Sequence, residues 1–146
     1  MSNEDFVSRS IFDFLRESDW TIVHYHPPGG QAGFGVTLES KKFLVPDLIA
    51  VKDNVILIVE NKSVFSISDV KKLRTIGSSV SAVKQIVNYT KRFLEVNHLP
   101  IPQTYNILLS HGYSGSSTDT ALSDVILMNV DKSTGKVSYR DKRSLR

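Results

Sequence analysis

Three charged residues stand at the ends of two apolar runs. Residues 48–51 and 55–59 are separated by Lys52-Asp53-Asn54, Asp47 follows Pro46 at the entrance to the first run, and Glu60-Asn61-Lys62 closes the second. If Asp53-Asn54 is a two-residue turn, Lys52 faces Val55 and the same register sets Asp47 across from Glu60. Directly opposed side chains have Cβ atoms about 4.5–5.5 Å apart, a separation at which two carboxylates repel unless a cation lies between them. Lys62, two residues beyond Glu60, is expected on the same strand face and Asn61 on the other. Hard oxygen ligands with places left for water suit Mg2+, with Mn2+ as a substitute, better than zinc. Such an ion can polarise a phosphodiester and acidify an attacking water, with Lys62 positioning that water or stabilising its hydroxide. The chemistry expected of the trio is metal-dependent phosphodiester hydrolysis.

An acid two residues before a lysine is not informative by itself, since the chain has three: Glu39/Lys41, Glu60/Lys62 and Asp69/Lys71. What singles out the second is its combination with the only Pro-Asp pair, two apolar strands and a tight turn between them. The plainer alternative is that the two acids mark where strands meet solvent, with Lys62 bridging them.

These residues need elements to hold them. Phe6, Val7, Ile11, Phe14 and Leu15 recur at helical spacing after an acidic start, which predicts an amphipathic helix over about residues 3–18. Residues 20–25 are β-branched and aromatic and are stopped by Pro27-Pro28-Gly29-Gly30, a strand followed by a glycine-rich loop to Gly35. The chain turns apolar again at Phe43-Leu44-Val45, and the two runs of the hairpin, which do not alternate, are expected to be buried on both faces. Residues 66–97 read as helix in two pieces broken near Gly77-Ser78-Ser79, the second with Val80, Val83, Ile86, Val87 and Leu94 inward. Strands follow at 105–109 and 125–130, joined by a Gly/Ser-rich loop over 112–118, with a short last strand at 136–139. The fold class is α/β, a mixed sheet flanked by helices.

Pro46-Asp47 followed after twelve residues by Glu60-Asn61-Lys62 resembles the PD-(D/E)xK nuclease superfamily. The likeness covers about residues 3–110, in the order helix, three strands, helix, strand. It implies a restriction-endonuclease-like fold with an α-β-β-β-α-β core, Asp47 and Glu60 as metal ligands, the Asn61 carbonyl as a further ligand and Lys62 as catalytic lysine. It also implies a metal-directed acid on the first helix, for which Glu4 is the candidate and Glu17 the alternative; a helix-start acid favouring the dipole is the plainer account of Glu4. Gln85 and Tyr89, one helical turn apart, resemble the Gln-xxx-Tyr element of some exonuclease-like branches, and with Lys84 they are the expected DNA contacts. Lys91 and Arg92 lie further along the same helix.

Composition is compatible with this reading. At 146 residues, 40% hydrophobic and 23% charged, the chain is expected to be one domain, with a core over about 3–130 and a basic tail over about 131–146. The tail favours phosphate backbones, within a net charge of only +3, and is also what a solvated terminus looks like. Without cysteine there are no disulfides or thiolate zinc sites. No apolar run is long enough to span a bilayer and no secretory leader is evident, so a cytoplasmic protein with no membrane partner is expected. His24 and His26 share a strand face without an evident third ligand. His111-Gly-Tyr-Ser-Gly-Ser-Ser lacks the second glycine of a nucleophile elbow around Ser114, and the loop over 29–35 lacks the ending of a P-loop. The expected function is a deoxyribonuclease, an endonuclease of the restriction or repair type, acting on DNA as a homodimer or with a partner subunit. The alternative is a nuclease-fold module that binds DNA or assembles without catalysis.

Overall fold

The computed structural model of the chain describes residues 3–30, 33–116 and 122–140. Helix α1 (Asn3–Glu17) has Glu4 and Asp5 in its first turn and buries Val7, Ile11 and Leu15, an i, i+4, i+8 stripe. It ends in a Schellman turn: Trp20 N–H donates to Leu15 O at 2.9 Å, Asp19 N–H to Arg16 O at 3.2 Å, and Asp19 takes the left-handed conformation (φ 69°). Strand β1 (Thr21–Tyr25) follows directly. The glycine-rich segment leads into a small separate pair, β2 (Val36–Thr37) against β3 (Phe43–Leu44).

The hairpin β4 (Leu48–Lys52) and β5 (Val55–Asn61) has the expected two-residue turn, with Asp53 at φ 53°. Its register runs from Lys52 opposite Val55 to Leu48 opposite Val59. Both runs are buried on both faces, because helices cover each side of the sheet. Helices α2 (Ile67–Ser78) and α3 (Val80–Val96) meet at Ser79, whose hydroxyl caps α3 by accepting Ala82 N–H at 3.0 Å. Strands β6 (Asn106–Ser114), β7 (Val125–Val130) and β8 (Val137–Arg140) complete a six-stranded mixed sheet in the order β1-β4-β5-β6-β7-β8. Pairing is antiparallel except for β5–β6 and β6–β7. Side chains on one sheet face, among them Leu48, Leu57 and Val59, pack on α1. Those on the other, among them Ile49, Ile56 and Ile58, pack on α2 and α3. No helix among the described residues is long and apolar enough to cross a membrane.

Three expectations are corrected. Val80 is 79% exposed: it is the first residue of α3 beside its cap, and the inward stripe is Ala82, Ile86, Thr90 and Leu94. β6 continues through Gly112, Tyr113 and Ser114, placed above in a loop, because these residues pair with Met128, Asn129 and Val130. Its start is one residue later than expected, at Asn106. Residues 117–121 of that loop and 141–146 of the basic tail lie outside the described residues.

Gly112 is where the sheet needs the smallest residue. A Cβ there would stand 2.3 Å from Asn61 Oδ1 and 2.9 Å from Ile11 Cγ1. Gly112→Ala should therefore lower stability by about 1–3 kcal/mol, read as the urea midpoint. An unchanged midpoint would contradict this packing.

Candidate functional site

Asp47 is placed by backbone bonds from its neighbours. The β1–β4 pairing contains a bulge between Ile22 and His24, after which Tyr25 faces Leu48. His26 N–H then donates to Asp47 O at 2.7 Å, and His24 Nε2–H donates to Pro46 O at 2.8 Å. Burial lowers the pKa of His24, holding it neutral in this role. His24 and His26 thus fix backbone, the latter also donating Nε2–H to Gly30 O at 2.7 Å.

Across the hairpin, each acid is bound to the other's strand. Asp47 N–H donates to Glu60 Oε2 at 2.9 Å, and Asn61 N–H donates to Asp47 Oδ2 at 2.7 Å. Glu60 is buried to 2% exposure. Burial first, and the charge of Asp47 second, push its pKa from an ordinary 4.5 up to about 8. Asp47 is raised by burial too, and Asp69 and Glu4 add to the effect. The opposing influence is Lys72 of α2, whose Nζ lies 2.7 Å from Glu60 Oε1 and donates to Val45 O at 2.8 Å. The ammonium facing Glu60 is therefore Lys72, a residue the sequence reading did not single out.

Strand pairing ends at Asn61, Lys62 N–H is taken by Gly112 O at 2.9 Å, and the side chain turns toward α1, where Nζ lies 3.7 Å from Glu4 Oε1. Glu4 is thus brought beside the site, whereas Glu17 lines a separate cleft with Phe6, Asp13 and Lys136. Asn61 points away from Glu60 as expected, its buried side-chain amide making no hydrogen bond and its Oδ1 facing Gly112.

His111, fully buried on β6, ties the end of β5 to the start of α2. It donates Nδ1–H to Glu60 O at 2.9 Å and accepts Ser66 N–H on Nε2 at 3.0 Å, which assigns the neutral tautomer, and burial lowers its pKa in the same sense. Ser66 caps α2 by accepting Asp69 N–H. One turn on from Asp69 lies Lys72. No sequence spacing links residues 60, 72 and 111; pairing between β5 and β6 and the phase of α2 bring them together.

Two of the expected DNA contacts, Gln85 and Tyr89, are engaged within the protein. Gln85 holds β2 by accepting Thr37 N–H at 3.0 Å and donating to Thr37 O at 2.8 Å, and Tyr89 stacks on Phe34 with ring centroids 4.1 Å apart. Lys84 is exposed. Ser114 is buried and donates to Val130 O. A cleft at the turn end of the hairpin, beside Asp53, Leu99 and Ile101, lies away from the acid pair.

The pair suits a hard cation in kind: two oxygen donors whose mutual repulsion and burial call for positive charge. No group of three or more His, Asp or Glu residues arranged to hold an ion occurs among the described residues. No family model, curated protein or solved structure matches this chain.

Glu60 also makes stability depend on pH. Because its folded pKa lies above the unfolded value, the folded state holds the extra proton between about pH 4.5 and 8 and loses stability as pH rises through that window. Urea midpoints of the wild type should fall across this range more steeply than those of Glu60→Gln; parallel curves would contradict the assignment.

Proposed function

We propose that the chain is a small metal-dependent deoxyribonuclease of the PD-(D/E)xK kind with a restriction-endonuclease-like fold. The observation that carries this is the crossed pair of bonds locking Asp47 and Glu60 together across the hairpin, Asp47 N–H to Glu60 Oε2 and Asn61 N–H to Asp47 Oδ2. Such bonds hold two carboxyl groups, Glu60 buried and Asp47 partly so, at a fixed separation, an arrangement that invites a divalent ion in exchange for the proton Glu60 otherwise keeps. The order α1, β1, hairpin, helices, parallel β6 agrees with the resemblance.

Asp47 and Glu60 would hold the ion, with the Asn61 carbonyl as the further ligand the resemblance implies. When bound, Mg2+ would supply charge stabilisation at the scissile phosphate and lower the pKa of an attacking water. Lys62, exposed at the lip and oriented by Glu4, contributes an ammonium to the charge developing on phosphate oxygens. Lys84 offers a phosphate contact outside the site, while Gln85 and Tyr89 act by holding the 34–37 segment. A chain this small cuts duplex DNA on both strands as a homodimer or with a partner subunit, in the cytoplasm.

A second reading has its own observation. Lys72 already neutralises Glu60, which suits a nuclease-fold module that binds DNA without cutting it.

Incubation with plasmid, linear duplex and single-stranded DNA, with Mg2+ or with chelator, separates the two. Nicking or linearisation of the plasmid only with Mg2+ is expected. Lys62→Ala should reduce cleavage by about 10²-fold or more with the fold and most DNA affinity retained. Cleavage by Lys62→Ala at the wild-type rate would remove Lys62 from the chemistry, and DNA binding without cleavage under every condition would favour the second reading.

A further inference from the structure

Both oxygens of Glu60 are engaged, Oε2 by the Asp47 amide and Oε1 by the Lys72 ammonium. An ion taken up by Glu60 would meet Lys72 on the same carboxylate, and two cations that close repel. Lys72 has somewhere else to go. Asp69 lies three residues earlier on α2, hence on the same helix face, is buried to 8% exposure, and its Oδ2 has no hydrogen-bond partner. A buried carboxylate oxygen without a donor is costly, so Asp69 is a waiting acceptor. The Lys72 side chain is 26% exposed on a flexible four-carbon stem, which leaves it room to change rotamer.

The charges point the same way. Once Glu60 is ionised, Asp47, Glu60 and Asp69 have Lys72 as the compensating cation among the described residues, since Lys62 is held by Glu4 and His111 is neutral. One divalent ion at the first two and Lys72 at the third would balance all three. We infer that Lys72 is an exchangeable counter-ion: it occupies Glu60 before ion uptake and swings one helical turn to Asp69 when a divalent cation binds the Asp47–Glu60 pair. This rests on the pair being a cation site. Lys72 is on this account a positioning residue that sets ion affinity, not one that touches substrate.

The test is Mn2+ binding to the full chain by calorimetry, with folding of each variant checked by circular dichroism. Lys72→Met should bind Mn2+ about tenfold more tightly than wild type, because the competing conformation is gone. Lys62→Met, which removes the same charge from the other side, should change affinity by less than about threefold. Asp69→Asn should weaken binding in the wild type and much less in the Lys72→Met background. Equal or weaker binding by Lys72→Met, or an Asp69→Asn effect independent of Lys72, would overturn the exchange. If Asp47→Asn abolishes binding while Lys72→Met leaves it untouched, the exchange alone fails; if wild type and Lys72→Met both bind nothing, the cation site itself fails. A readout that needs no Lys72 variant is the 13Cε signal of Lys72, which should move when Mg2+ is added to wild type and stay put in Asp47→Asn; a signal that stays put in wild type while Mg2+ binds also overturns the exchange.

Discussion

Two carboxylates locked opposite each other on neighbouring strands, one of them nearly out of reach of water, create a demand for positive charge that the surroundings must meet. Desolvation and mutual repulsion push Glu60 up to about 8, and the ammonium of Lys72 at 2.7 Å is the local answer to that demand. The acid pair governs much around it. The segment before β4 bends so that Val45 O also receives Lys72, α2 is set at the depth where Lys72 reaches Glu60, and Lys62 is left to pair with Glu4 at the rim.

Histidines do much of the positioning. His24 holds Pro46 O, the His26 amide holds Asp47 O, and His111 spans Glu60 O and Ser66 N–H, so four of the backbone groups flanking the site are fixed by β1, the residue that follows it and β6. The buried imidazoles of His24 and His111 suit this work, because they make these bonds without bringing a charge that would disturb the pair. Phe65 and Tyr113 pack around His111, with ring centroids 5.5 and 5.4 Å away, and keep it dry.

The hairpin was legible because its register follows from a two-residue turn and its burial from the lack of alternation. The helix break at Ser79 and the stripe of α1 were legible for similar local reasons. Lys72 was not, because the rotation of a helix over a sheet depends on packing between residues far apart in sequence. The pairing of Lys62 with Glu4 was not legible either, because it depends on how the start of α1 lies over the end of β5. The extension of β6 through Gly112 was hidden because glycine and serine read as loop, whereas here the glycine admits Asn61 beside it. The turns closing α1 and α3 use Asp19 and His98 in the left-handed conformation where glycine would have been the readable signal.

The central claim is that the Asp47–Glu60 pair is a place for a cation. Carboxyl 13C NMR of the two residues, followed against pH with and without Mg2+, examines it most directly. The account predicts coupled titration, with Glu60 changing near pH 8 without the ion and at clearly lower pH with it. Glu60 titrating at the same pH in saturating Mg2+ and in chelator would contradict it.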